Sequence, residues 1–225
     1  MRMGRAVVLA VILLGPGSVP LPAGAARMAL TAQEQALLDA YQRMGELRPE
    51  HRLLQYFAGR WHESIRVWIT PAGPPLRSTG IARLRAALGG RFIEMRHVGS
   101  MAGQTHRGIG YLGFDNVAGR YTHVGMDDGW TGTWMAQGHY DDANRTYTFT
   151  GAMDDPTRPG MAVAVREVLR ITGPLSFVLE WHETRDGKET RTLRIDYTRL
   201  QPFTTRPLPE HDRRQAAGPR RGEGG

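Results

Sequence analysis

The sequence contains no cysteine. That excludes disulfides, thiolate metal sites and a lipid-modified cysteine behind a leader, so stability must come from a packed core. Lysine is almost absent as well. Lys188 stands alone, and the rest of the basic balance is arginine, which reads as a composition bias rather than a binding device. Long apolar runs are missing too. The one candidate, AVVLAVILL from Ala6 to Leu14, is too short to span a bilayer.

That run reads instead as the core of an export signal over residues 1–26. Arg2 and Arg5 precede it, the helix-breaking GPGSVPLP follows, and Ala23-Gly24-Ala25 supplies the small residues of a cleavage site near Ala25 or Ala26. A membrane anchor is the competing reading. The expectation is an exported protein, periplasmic or secreted, with no integral membrane segment once the leader is removed. The remaining length of a 225-residue chain suits one domain with a sizeable core.

The formal charge of +7 is concentrated at the ends. Two of the 29 basic residues lie in the leader and five in the tail beyond Arg199, where three of the 22 acids also lie. The domain between is nearly balanced, 22 against 19, which gives nucleic-acid binding little support.

Residues 27–58 read as a helical segment. Thr31 and Glu34 form a capping box, Leu37, Tyr41 and Met44 follow at helical spacing, and the helix is expected to end near Leu47. Pro49 opens a further turn, with Leu53, Leu54 and Phe57 toward the body of the protein. Over 59–201 the period changes to two. Ten strands are expected near 60–70, 78–88, 91–99, 105–113, 120–127, 130–139, 144–152, 162–172, 175–184 and 189–199. Their connectors are short, and no long helix interrupts them. Parallel crossover units are thereby excluded. Ten antiparallel strands hide both edges by closing into an up-and-down β-barrel; a two-sheet sandwich is the competitor. Residues 202–225 lose all patterning and read as a disordered basic tail.

A repeat supports the meander. FDNVAGRYTHVGMDD, Phe114–Asp128, returns as YDDANRTYTFTGAMDD, Tyr140–Asp155, so that Asp115, Tyr121, Thr122 and Gly125 recur as Asp141, Tyr147, Thr148 and Gly151. The acidic residues lack calcium-loop spacing and suit chain reversal. The last hairpin fixes a register: a three-residue loop, Arg185-Asp186-Gly187, would pair Trp181 with Arg191 and Leu179 with Leu193, burying both apolar sets together.

AGRW at Ala58–Trp61 and an arginine closing the last strand, Arg199 in DYTR, resemble the calycin superfamily, which includes lipocalins and fatty-acid-binding proteins. The resemblance implies that Trp61 plugs the closed end of a barrel and Arg199 lies across it. The stretches PEHRLLQYFAGRWHES, LGGRFIEMRHVGSMAGQTHRGIGYLGFDNVAGRY and RIDYTR are similar to the bacterial family catalogued as domain of unknown function 1579, over roughly 48–199. The sequence departs from it at Phe114, where the family usually has tyrosine. The family has no established activity, so the resemblance implies architecture and no mechanism.

The chemistry-bearing residues divide by face. With Trp61 and Trp181 inward, His62 and His182 face solvent, while Glu63 and Glu183 face in, so neither WHES nor WHET holds one metal ion. Ser64, Ser78, Ser100 and Ser176 lack the nucleophile-elbow motif. The expected ligand cavity is lined by Glu63, Ile65 and Val67 of the first strand. Further along it takes Tyr121, His123, Trp134, Tyr147 and Phe149, and then Phe177, Leu179 and Trp181. Strand glycines at 108, 110, 113, 125, 132, 138 and 151 either coil the sheet or clear space beside a ligand. The leading expectation is a small apolar or amphipathic molecule inside the barrel of a monomer or weak dimer, with no metal and no required cofactor. Two alternatives stay open. One is a heme or redox-cofactor barrel, with His97 or His123 as ligand and His106 less suited; His123 occupies the slot that Phe149 fills in the second copy. The other is an enzyme using buried carboxylates such as Glu63, Glu167 and Glu183.

Overall fold

The computed structural model describes residues 30–101 and 103–200. The expected export signal over residues 1–26 and the expected disordered tail over 202–225 lie outside the described residues. Two compact units divide the chain, the first through Ala40 and the second from Tyr41.

Helix α1, Ala32–Met44, begins in the first unit. Its capping box forms as the sequence requires: the Thr31 N–H donates to Glu34 (2.8 Å) and the Glu34 N–H to the Thr31 hydroxyl (3.2 Å). The helix ends at Met44, three residues before the expected limit, and none of its side chains is buried. In the second unit α2, Pro49–Leu54, starts with proline in its first turn, where the missing N–H costs nothing. His51 accepts from the Arg48 N–H at 3.0 Å and closes that turn. A 3-10 turn, Gln55–Phe57, follows. Leu54 and Phe57 are buried, whereas Leu53, expected to join them, is exposed.

Ten strands follow: β1 Gly59–Val67, β2 Leu76–Ala87, β3 Phe92–Met101, β4 Gln104–Asp115, β5 Arg120–Asp127, β6 Trp134–Asp141, β7 Thr146–Asp154, β8 Ala162–Gly173, β9 Ser176–Arg185 and β10 Lys188–Arg199. Each pairs antiparallel with its sequence neighbours, and β1 pairs with β10, so the sheet is a closed barrel. Closure leaves no strand edge unpaired. Strand β6 starts four residues later than the pattern indicated, because Gly129 and Gly132 belong to the turn before it.

One end is plugged. The Trp61 ring is fully buried, and its indole N–H donates to the Phe57 carbonyl at 2.8 Å. The Arg199 guanidinium lies 4.1 Å from the Trp61 ring centroid and donates to the carbonyls of Ala58 and Tyr56, both at 2.6 Å. A Cβ at Gly59 would collide with that guanidinium, and Gly59 has φ +151°. The glycine of the G-x-W motif is therefore the space in which the arginine sits. Above this plug Phe177 stacks on Tyr197 (4.1 Å, 9°) and meets Trp61 edge-on at 4.7 Å.

The final hairpin corrects the expected register. Its loop has two residues, Asp186 and Gly187, both with positive φ (51° and 76°), as a type I′ turn requires. Arg191 faces His182, a bulge follows, and Leu193 then faces Trp181, with Ile195 opposite Leu179 and Tyr197 opposite Phe177. The bulged residue is Thr192, whose hydroxyl donates to Glu183 at 3.0 Å. The two apolar sets do share a face, by way of one extra residue rather than a longer loop.

The repeat falls where a meander places it. Tyr121 on β5 and Tyr147 on β7 both face inward across β6 and meet edge to face at 5.0 Å and 89°. Asp115 accepts from the N–H groups of Val117 and Ala118, and Asp141 from Asn144, which closes both turns. Gly125 and Gly151 lie on either side of the Trp134 ring; a Cβ at Gly151 would stand 2.8 Å from it.

Candidate functional site

The interior is not uniformly apolar. Glu63 on β1 and Glu167 on β8 are the only two carboxylates fully shielded from solvent among the described residues that also face the barrel axis, and each meets a histidine. Glu63 Oε2 lies 3.2 Å from His97 Nδ1 on β3. The contact crosses β2 at Gly80, where a Cβ would collide with the carboxylate, and the His97 ring passes Gly108, whose Cβ would stand 2.8 Å away. Glu167 Oε2 lies 2.7 Å from His123 Nδ1 on β5 and accepts from the Trp134 indole N–H at 3.2 Å. His123 Nε2 in turn lies 3.3 Å from the Cβ position of Gly110. Gly80 and Gly108 thus make room for these polar side chains, and Gly110 lies against both His123 and the Val124 carbonyl. Gly138 differs: a Cβ there would strike the Thr148 carbonyl, so it serves the close approach of β6 and β7.

Tyr197 joins the two pairs. Burial, then Glu63 beside it and Glu167 nearby, push its phenol well above the usual value, so it stays a hydrogen-bond donor at neutral pH. Oε1 of Glu63 and Oε1 of Glu167 are buried with no hydrogen-bond partner among the described residues. Buried carboxyl oxygens normally have one; Glu63 has the Tyr197 phenol beside it, so the Glu167 oxygen is the unused acceptor inside the barrel.

The polar set reaches the open end. The His97 ring meets His106 edge-on at 5.2 Å, and His106 Nδ1 lies 3.2 Å from Asp128, whose side chain is largely exposed. The wall around them is half-buried and mixed, with Val67, Met153, Trp181 and Leu193 beside His97, His106 and Glu183.

The residues expected to line a cavity fall into two groups. Tyr121, Tyr147, Phe149 and Phe177 lie in the plugged half and pack on one another, with Tyr147 and Phe149 at zero exposure. Glu63, Ile65, His123, Trp134 and Leu179 are buried at mid-height, and Val67 and Trp181 reach the half-exposed rim. Of the histidines weighed as heme ligands, His97 and His123 each have Nδ1 on a glutamate, and His106 faces Asp128. Arg191, expected opposite Trp181, instead faces His182, points outward to Glu180 and lies over Trp68. No group of three potential ligands among the described residues is placed to hold a metal ion.

One anchor at the open end gave no motif. Asp155, in the β7–β8 loop, is buried and accepts from the Thr157 hydroxyl (2.7 Å) and N–H (2.9 Å), and from Arg158 and Arg185. The Thr157 bonds first, then the two guanidinium groups, hold its carboxyl far below the usual range. A depressed folded-state pKa gives stability that is present above the unfolded value, about 4, and is lost as pH falls toward the folded one. Thermal unfolding followed from about pH 7 to about pH 2 is expected to show Asp155→Asn with the lower Tm at neutral pH and the shallower acid decline. Parallel curves for the two proteins would remove this role from Asp155.

The sequence profile of a family described as "Protein of unknown function (DUF1579)" matches residues 46–199. No curated protein matches. Among solved structures, Rv2717c from M. tuberculosis is similar at 18% identity with a TM-score of 0.53, covering 69% of this chain and 100% of that one. The S-type phycobiliprotein lyase CPES from Guillardia theta is similar at 12% identity with a TM-score of 0.49, covering 72% and 97%. At these identities the likeness is one of fold.

Proposed function

The chain belongs to the DUF1579 family, and we propose that it binds a small amphipathic molecule at the open end of its barrel. The apolar part of the ligand lies against Val67, Trp181 and Leu193, and its polar end meets His97 and His106. One observation carries this reading: the plugged half is filled by its own side chains, while at the opposite end the half-buried Val67, Trp181, Leu193 and Glu183 stand beside the buried Trp134, Val163 and Val165, above a buried carboxyl oxygen of Glu167 that has no partner among the described residues. A site that is apolar with a few convergent polar groups is the usual form of a small-molecule pocket.

Native mass spectrometry of the purified protein is expected to find a co-purified molecule. Saturable binding of anilinonaphthalene sulfonate is expected to weaken about fivefold to tenfold in Trp181→Ala, about the loss that goes with removing one large apolar contact. Binding unchanged in both Trp181→Ala and His97→Ala would place the ligand elsewhere. A Soret band on adding hemin, lost in His97→Ala, would replace this reading with a heme site.

A further inference from the structure

The outward face of β1–β3 carries an imbalance that the rest of the barrel avoids. Its arginines are Arg60, Arg66, Arg77, Arg83, Arg85 and Arg96, against a single acid, Glu94. Arg60 is directly opposite Arg83 across β1 and β2, and Arg83 is directly opposite Arg96 across β2 and β3. Three guanidinium groups therefore stand in one row across three strands, spanning roughly 10 Å at normal strand spacing. Like charges directly opposite in a sheet are destabilising.

Glu94 is buried and holds Arg85 at 2.9 Å together with Arg96, and Arg66 turns to Asp196. Among the described residues neither Arg60 nor Arg83 meets a carboxylate. On β8 and β10 the arginines are matched: Arg166 pairs with Glu189, Arg170 and Arg191 with Glu180, and Arg194 with Asp196. The charge row is thus local and not a consequence of composition. Beside it Ile81 and Val98 face each other on the same outward surface, 39% and 51% exposed. Arg60, Arg83, Arg85 and Arg96 line, with these two, an open groove of about 650 Å³.

We infer that this face docks the barrel on an anionic lipid surface, with the Arg60–Arg83–Arg96 row on lipid phosphates and Ile81 and Val98 at the level of the acyl boundary. Lipid phosphates supply the counter-charge that Arg60 and Arg83 lack, and a bilayer supplies apolar contact in the same plane. Nucleic acid fits less well, because the row has neither stacking aromatics nor a helix to enter a groove. Nor does the tail supply the counter-charge: beyond Arg199 its arginines outnumber its acids five to three.

The test compares the affinity of the full chain for phosphatidylcholine vesicles with and without about one-third phosphatidylglycerol, read as a ratio so that lipid-independent binding cancels. Each arginine near an anionic surface contributes about fivefold in affinity, so Arg60→Gln/Arg83→Gln is expected to lower the ratio about 25-fold. Arg166→Gln, on the opposite wall, is expected to leave it unchanged. The double variant relieves like-charge contact and is expected to unfold at the same temperature or higher, so its loss of binding is not a loss of fold. The inference is overturned by a ratio near one in the parent protein, by an unchanged ratio in the double variant, or by heparin or inorganic phosphate competing at equal charge concentration.

Discussion

Replacing His123 by phenylalanine is expected to destabilise the barrel by about 3 kcal/mol, although phenylalanine is what the internal repeat places in the matching slot. Phe149 is itself fully buried, and its ring lies 5.8 Å from His123, so the neighbourhood accepts an aromatic. The cost arises at the partner. Glu167 has zero exposure, its Oε2 bonds only His123 and Trp134, and its Oε1 has no partner among the described residues. Without the imidazole a buried carboxyl keeps a single indole N–H. Burying a polar group short of hydrogen-bond partners is unfavourable in a closed interior. His123→Phe/Glu167→Leu removes both halves and is expected to recover most of the loss, since an apolar pair of similar volume is often as stable as a buried polar one. Urea unfolding of the two single variants and the double closes the cycle. A single-variant loss below about 0.5 kcal/mol, or a double variant no better than the singles, would mean that the contact carries no coupling energy.

That pair marks where sequence reading stops. The ten strands, their order and their closure follow from period-two patterning and short turns, which are local features. The floor was legible as well, because Trp61 and Arg199 sit at the ends of neighbouring antiparallel strands, a relation fixed once the barrel closes. The His–Glu contacts are of another kind. Glu63 reaches His97 across β2, and Glu167 on β8 reaches His123 on β5, so neither is a cross-strand pair of adjacent strands. Which inward side chains meet depends on strand tilt and stagger, and these leave no signal at a fixed spacing. The inward glycines were visible, but their two readings, space for a ligand or coiling of the sheet, left out a third. Gly80 and Gly108 make room for Glu63 and His97, while Gly110 and Gly151 lie against the Val124 and Met135 carbonyls as well as against His123 and Trp134. The final hairpin failed for a smaller reason. Asp186-Gly187 is a strong two-residue turn, and the offset that aligned the apolar sets came from the bulge at Thr192, whose side-chain bond to Glu183 no sequence pattern announces.

The largest loss is expected at the plug, where Trp61→Ala should cost about 4 kcal/mol. The ring is fully buried, meets Phe177 edge-on at 4.7 Å and Tyr56 at 6.0 Å, and bonds the Phe57 carbonyl. Truncation removes this apolar burial and leaves a cavity that a closed sheet cannot collapse to fill, because β1 is held on both sides by β2 and β10. It also removes the face on which the Arg199 guanidinium rests. Trp61→Phe keeps part of the plug but loses the indole N–H and is expected to fall between, at about 2 kcal/mol. Arg199→Met separates the two roles of the arginine. It preserves a long apolar stem over the ring while leaving the carbonyls of Ala58 and Tyr56 without their charged donor, a loss of about 1–2 kcal/mol. In the double variant Trp61→Ala/Arg199→Met the losses should sum to less than the singles, since the guanidinium has already lost its platform. Strict additivity in urea unfolding would mean that ring and guanidinium act independently, and that the 4.1 Å stacking contributes no coupling of its own.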